Sequence, residues 1–270
     1  MEDYVIPRHV TKTLRSCRSN MRRNKSGFSL IELLVVIATV SILAALLAES
    51  LARGKRKAQQ IQCANNVRQL GIALRGHVAA NNTYPQVIQP SWMADLQAEL
   101  SVAKTHINSS KYLSEGVWKC PSAHRPADLP PSIGYESYAY NGYGMSSPDD
   151  TNSLGLGGHH VWSKTQMPGP AVKESEVLNP SQMIAIGDSF MGQSGTIQDG
   201  GWLLSRTHAS TADAESTKRA YARHQGKASV VFCDGHVEQS TLKFLFADTT
   251  DAALAQWNRD NLPHREALAQ

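Results

Sequence analysis

The chain has 270 residues, with 27 basic and 23 acidic side chains and a formal charge of +4. The excess is local. Residues 1–27 hold seven basic groups (Arg8, Lys12, Arg15, Arg18, Arg22, Arg23 and Lys25) against Glu2 and Asp3, so residues 28–270 keep 20 basic and 21 acidic groups. A body that is neutral to within one charge lacks the basic surface that phosphate neutralisation needs, so no nucleic-acid partner is expected. The length suits one membrane-crossing helix plus one folded domain of ordinary size.

The basic segment ends at Gly27, and an apolar run follows from Phe28 to Leu51, 24 residues without Gly or Pro. As a helix rising about 1.5 Å per residue it reaches about 36 Å, enough to cross a hydrocarbon core of about 30 Å. Glu32 is the anomaly. A carboxylate in a spanning helix costs about 2.5–3.5 kcal/mol at the bilayer centre, so it calls for a partner or a task. Seven basic groups before the run outweigh Arg53, Lys55, Arg56 and Lys57 after it, which keeps the N-terminal end in the cytoplasm. An ordinary secretory signal fits poorly: the run is too long, it contains Glu32, and no small-x-small site closes it.

Lys25-Ser26-Gly27-Phe28-Ser29-Leu30-Ile31-Glu32 resembles the processing site of bacterial type IV prepilins and type II secretion pseudopilins. The resemblance implies cleavage between Gly27 and Phe28 by prepilin peptidase, N-methylation of Phe28 by the same enzyme, and an assembly role for Glu32 opposite the Phe28 amine of a neighbouring subunit. It also implies an inner-membrane protein with a cytoplasmic N-terminus and an exported C-terminal domain, joining other pilin or pseudopilin subunits in a filament.

Beyond the run, Ile61, Ala64, Val67, Leu70, Leu74 and Val78 recur at three- and four-residue spacing, an amphipathic stripe that continues the helix to about Asn82, with Pro85 beyond. Gly54, Gly71 and Gly76 weaken it without excluding it. The segment from Cys63 to Leu74 resembles the part after the membrane helix in a large pseudopilin-like family. Leu47-Ala48-Glu49-Ser50 stands where members of that family often carry proline, so no proline kink is expected. Of the four cysteines, Cys17 lies in the leader. Cys63, Cys120 and Cys233 are an odd set, with a Cys63–Cys120 bridge open to them and Cys233 read as a small buried residue in a strand. No Cys-x-x-Cys or close Cys/His pair points to zinc.

Residues 83–160 are rich in loop formers. A short helix is expected over Ser91–Leu100, with Trp92, Leu96 and Leu100 on one face. Tyr135, Tyr138, Tyr140 and Tyr143 offer either a contact surface or, for Tyr138 and Tyr140, an alternating strand. Ser146–Gly158 reads as a mobile surface loop. Strands are expected at Met183–Gly187 and Ser229–Cys233, the latter entering an Asp234-Gly235 type I′ hairpin with a return strand from His236. Asp251–Asn261 reads as a helix ended before Pro263.

His224, nine residues, then Asp234-Gly235 resembles the C-terminal motif of the prepilin-type processing-associated domain family, as do Trp257-Asn258-Arg259-Asp260 and Pro263-His264. That family supplies an architecture more than an activity. His224, Asp234, His236 and Asp188 are suitable ligands for a divalent ion if Asp188 and Asp234 end neighbouring strands side by side; the alternative is that His224 bonds the Asp234 turn and locks the hairpin. No cofactor is predicted; calcium, which major pseudopilins bind, stays open and unplaced. No Gly-x-Ser-x-Gly elbow or P-loop is present, so a non-enzyme is expected.

The expected architecture is α+β and pilin-like: a basic leader (1–27), a transmembrane helix (28–51), its amphipathic continuation (52–82) and an exported domain with a small antiparallel sheet (83–270). The expected function is a filament subunit processed by prepilin peptidase. The alternative is a membrane-tethered periplasmic binding or metal-dependent domain that uses the prepilin route for export only.

Overall fold

A computed structural model of the chain describes residues 27–87, 92–100, 116–123, 136–146, 153–159, 169–193, 196–199, 206 and 214–269. The leader with Cys17, and Tyr135, lie outside them. The elements in chain order are helix α1 (Leu30–Asn81), helix α2 (Trp92–Glu99), strands β1 (Tyr138–Tyr140), β2 (Ile184–Asp188), β3 (Phe190–Gln193) and β4 (Thr196–Asp199), helix α3 (Ala214–Ala222), strands β5 (Lys227–Phe232) and β6 (Val237–Thr241), and helices α4 (Leu242–Phe246) and α5 (Asp251–Ala255). The chain divides into two compact units, 1–50 and 51–270.

In the first unit, the described residues form the N-terminal part of α1. No proline interrupts the 52-residue helix. Its apolar side chains stay exposed, Leu30 by 87%. A contiguous apolar surface of this kind marks a segment that meets lipid or another protein. By length and composition α1 is the one helix among the described residues fit to cross a membrane.

In the second unit, β1, β2, β5 and β6 form an antiparallel sheet in the order β1-β2-β5-β6. β2 and β5 are buried throughout apart from Lys227 at the start of β5, which is why both read as continuous apolar runs. Side chains alternate between two cores, as a pleated sheet requires. Tyr138, Tyr140, Ile186 and Val231 face the core that includes α1 and α2. Ala139, Ile184, Val230 and Phe232 face the core built from α4, α5 and Trp257. A β-bulge between Ile184 and Ile186 shifts the β2–β5 register.

α1 meets the sheet through Cys63, Val67, Leu70, Leu74 and Val78. Val67, Leu70, Leu74 and Val78 of the expected stripe face inward, and only its start differs: Ile61 is 51% exposed and Cys63 takes the inward position. Gly71 explains the close approach, because a Cβ there would lie 2.4 Å from Val231 Cγ2. Asn82 ends α1 in the left-handed region (φ 57°), a C-cap conformation that Asn tolerates.

The other expectations fare unevenly. α2 lies where a helix was expected, with Trp92 stacked on Tyr140 (centroids 5.4 Å apart). The described tyrosines of the series, Tyr138, Tyr140 and Tyr143, are core residues and offer no contact surface. Residues 153–158 are not a surface loop. Ser153 and Leu156 are buried, and the Arg259 guanidinium, donating to Gly155 O at 3.0 Å, fastens this region to the C-terminal tail. The tail helix is shorter than expected, ending at Ala255, because i→i+3 bonds from Trp257 and Asn258 tighten the chain into turns. The β5–β6 turn is not type I′. Asp234 keeps negative φ, and Gly235 alone of the pair is left-handed (φ 94°), while its N–H donates to Phe232 O at 2.9 Å. A type I turn followed by a left-handed Gly makes the three-residue hairpin loop.

Candidate functional site

Two places carry the residues singled out from the sequence. The first is the start of α1. Gly27, Phe28 and Ser29 precede the helix, Phe28 is 80% exposed, and no described atom stands within 4 Å of where a Gly27 side chain would be. Glu32 sits in the first turn, where its carboxylate accepts the Ser29 backbone N–H at 2.8 Å and the Ser29 hydroxyl accepts the Ile31 N–H at 3.3 Å. This is a variant of the capping box. The Ser-x-x-Glu spacing was in the sequence, and the reading of Glu32 as a carboxylate in need of a partner missed it.

The second place is buried behind the sheet. α3 runs into a short 3₁₀ turn, Arg223–Gln225, in which His224 and Gln225 take φ of 52° and 58°. The turn ends at left-handed Gly226 (φ 74°) and aims Arg223 and His224 back at β2. Arg223 pairs with Asp188 at 2.8 Å, the two side chains 1% and 0% exposed. His224 Nε2 lies 3.4 Å from Asp188 Oδ2 and 3.3 Å from Cys120 Sγ. The Ser229 backbone N–H donates to Asp188 Oδ2 at 2.7 Å. Burial pushes the Asp188 carboxyl up, but the Arg223 charge, His224 and the Ser229 N–H together hold it below its ordinary value.

Cys120 is bonded to Cys63, so the bridge left open by the sequence is made. It ties α1 to the segment after Trp118, whose indole donates to Gln97. Cys233 is a buried free thiol just past β5, pushed up to about 12 by burial and hence inert.

The expected cluster of His224, Asp234, His236 and Asp188 does not form. β2 and β5 are antiparallel, so Asp188 at the end of β2 meets the start of β5, while Asp234 follows its far end. Asp234 instead pairs with His236 at 2.6 Å, and the imidazole stacks on Phe232. His224 does not bond the Asp234 turn either; among the described residues its side chain meets Cys120 and Asp188. Two contacts of the centre were not anticipated, Cys120 with His224 and Arg223 with Asp188. Cys120 is 104 positions from His224 and Arg223 is 35 from Asp188, separations that leave no local signal.

Residues 22–48 match the prokaryotic N-terminal methylation motif. Over part of its length the chain is similar to type IV pilins and pseudopilins. The type II secretion system core protein G of Aeromonas hydrophila is 38% identical to it over 68 residues, 25% of this chain and 48% of that protein. The pilin-like chain thus spans about half the length of this curated relative. No solved structure matches it. The motif falls on the Gly27-Phe28 bond and the exposed apolar part of α1. A pilin-like α+β architecture, with a long apolar helix running into a domain with a small antiparallel sheet, accompanies it.

Proposed function

We propose that this chain is a structural subunit of a type II secretion or type IV pilus-like filament. Prepilin peptidase cuts it between Gly27 and Phe28 and methylates the new Phe28 amine. Before assembly it stands in the bacterial inner membrane, its leader in the cytoplasm and residues 52–270 on the far side. It serves as substrate and building block, not as a catalyst.

The observation that carries this reading is the methylation motif at residues 22–48 lying over an apolar helix that the chain leaves wholly exposed. Such a surface is unfavourable in water, at about 25 cal/mol per Å² of apolar area. Lipid covers it in the membrane, and neighbouring helices cover it in a filament. Glu32 gains its partner in the same step, because cleavage creates a positive amine at Phe28 and packing brings a neighbour's amine to the carboxylate.

Mass spectrometry of the mature N-terminus tests the processing step. A chain starting at methylated Phe28 is expected; one that keeps Met1, or starts near Ala48, overturns the proposal. Glu32→Ala then tests assembly: the variant is cleaved normally and is missing from sheared filaments. Its recovery in filaments at wild-type level sinks the assembly role.

A further inference from the structure

Cys63, Cys120 and His224 bring three metal-ligating atoms within 4.8 Å of one another, all from buried residues. Sequence spacing hides the group, since its members come from α1, the segment after Trp118 and the turn after α3. In the structure the sulfurs are bonded to each other. That bond leaves His224 Nε2 between a disulfide sulfur at 3.3 Å and Asp188 Oδ2 at 3.4 Å. A disulfide sulfur is a weak hydrogen-bond acceptor and returns little for burying a ring. Yet His224 is 5% exposed, its Nδ1 has no hydrogen-bond partner among the described residues, and its backbone is held at φ 52°. Strained backbone of this kind is associated with sites that have a use for it.

The distances suggest the use. In a tetrahedral zinc site with Zn–S of about 2.3 Å and Zn–N or Zn–O of about 2.0–2.2 Å, sulfur and nitrogen stand about 3.6 Å apart and nitrogen and oxygen about 3.4 Å. His224 Nε2 lies 3.3 Å from Cys120 Sγ and 3.4 Å from Asp188 Oδ2. The His224–Cys120 edge of the tetrahedron is therefore in place. The sulfur–sulfur edge, about 3.8 Å around zinc, requires the disulfide to open.

We propose that Cys63, Cys120 and His224 form a redox-gated zinc site, closed as a disulfide and metal-binding once reduced. A dithiol reductant gives two electrons and two protons to the Cys63–Cys120 bond, leaving two thiols and the reductant's own disulfide. Zn²⁺ then displaces both thiol protons and is held by two thiolates and His224 Nε2. A pocket of about 230 Å³, lined by His224 and by Gln60 one turn before Cys63, supplies the entry path and a water for the fourth position. Arg56, Arg219 and Arg223 also line it, so the oxidised pocket repels a cation. Reduction and metal binding add two thiolate charges beside Asp188, and this reverses the preference. The proposal does not depend on whether the chain assembles.

The test uses the full chain in detergent, in a Cys233→Ser background that removes the remaining exported thiol. The anaerobically reduced protein is titrated with Co²⁺ alone. One equivalent per chain is expected, with a thiolate-to-cobalt charge-transfer band and the d–d bands of a tetrahedral ion, all bleached by Zn²⁺. The oxidised protein shows none of these. His224→Gln weakens binding at least about 10-fold, and His224→Cys restores it with a stronger charge-transfer band. Absence of the bands in the reduced chain overturns the proposal. So does equal affinity in His224→Gln, or equal binding by oxidised and reduced protein. If reduction unfolds the domain, Zn²⁺ must restore its circular dichroism; failure to do so overturns the proposal as well.

Discussion

The Glu32 carboxylate accepts the Ser29 backbone N–H at 2.8 Å, so within a single chain the residue expected to register neighbouring subunits is a helix cap. The two roles separate in Glu32→Gln. A glutamine can accept the same bond but carries no charge. If the charge opposite a Phe28 amine drives assembly, this variant is cleaved at Gly27, keeps its helix content and is absent from filaments. Filament recovery at wild-type level would assign Glu32 to capping alone. Mass spectrometry and the sheared-filament fraction read both steps.

The buried Arg223–Asp188 pair ties the turn after α3 to β2. Asp188→Ala leaves the guanidinium buried without that carboxylate, a loss of about 3–5 kcal/mol in denaturant unfolding. The pH dependence follows from the depressed Asp188 value. Its contribution is present above the unfolded carboxyl value of about 3.9 and is lost as pH falls through the lower folded value. In the variant that acid-side loss is reduced.

Glu136 gives the opposite sign. Burial pushes its carboxyl up to about 8, and its Oε2 has no hydrogen-bond partner among the described residues. The folded state holds this proton more tightly than the unfolded chain, so stability falls as pH rises from about 4.5 to about 8. Glu136→Gln removes that part of the slope and is more stable than the parent at pH 8. Urea midpoints at pH 5 and pH 8 check it; an unchanged difference between the two refutes it.

Gly71 and Gly76 lie on one helix and respond in opposite directions. An alanine Cβ at Gly71 meets Val231 Cγ2 at 2.4 Å, so Gly71→Ala costs about 1–3 kcal/mol through overpacking. At Gly76 the nearest atom is the carboxylate end of Glu99 at 3.0 Å, which can swing away. Gly76→Ala therefore gains about 0.5–1 kcal/mol of helix propensity. Thermal unfolding of the two variants side by side distinguishes them.

The Cys63–Cys120 bridge spans 57 positions. For loops between 15 and 100 residues, chain entropy alone gives about 3–4.7 kcal/mol, and measured effects run about 2–4. Cys63→Ser lowers the stability of the domain by that order. Peptide mapping without reductant should recover the Cys63 and Cys120 peptides joined, with Cys233 free.

The long helix, its processing signature and the position of Glu32 were legible because each is encoded locally: an apolar run of the right length, a Gly-Phe junction, a carboxylate five places on. The strands around Ile186 and Val231 were legible for the same reason, as short apolar runs between turn formers. The β3–β4 hairpin and helices α3 and α4 were not anticipated. Nor was the start of the buried face of α1, where Cys63 faces the sheet and Ile61 does not, or the close approach at Gly71. That choice depends on where Val231 needs room and where Cys120 arrives, and neither is written near residue 61.

The C-terminal motif shows the division most clearly. His224, Asp234 and His236 stand within 13 positions of one another, and nearness in sequence suggested one cluster. Antiparallel pairing of β2 with β5 puts Asp188 and Asp234 at opposite ends and sends His224 to Cys120, 104 positions away. Local composition was enough to specify a long apolar helix and the methylation motif at its start. Which side chains share a buried pocket was decided by strand direction and by one left-handed turn, because a contact between distant residues exists only once the chain between them has folded.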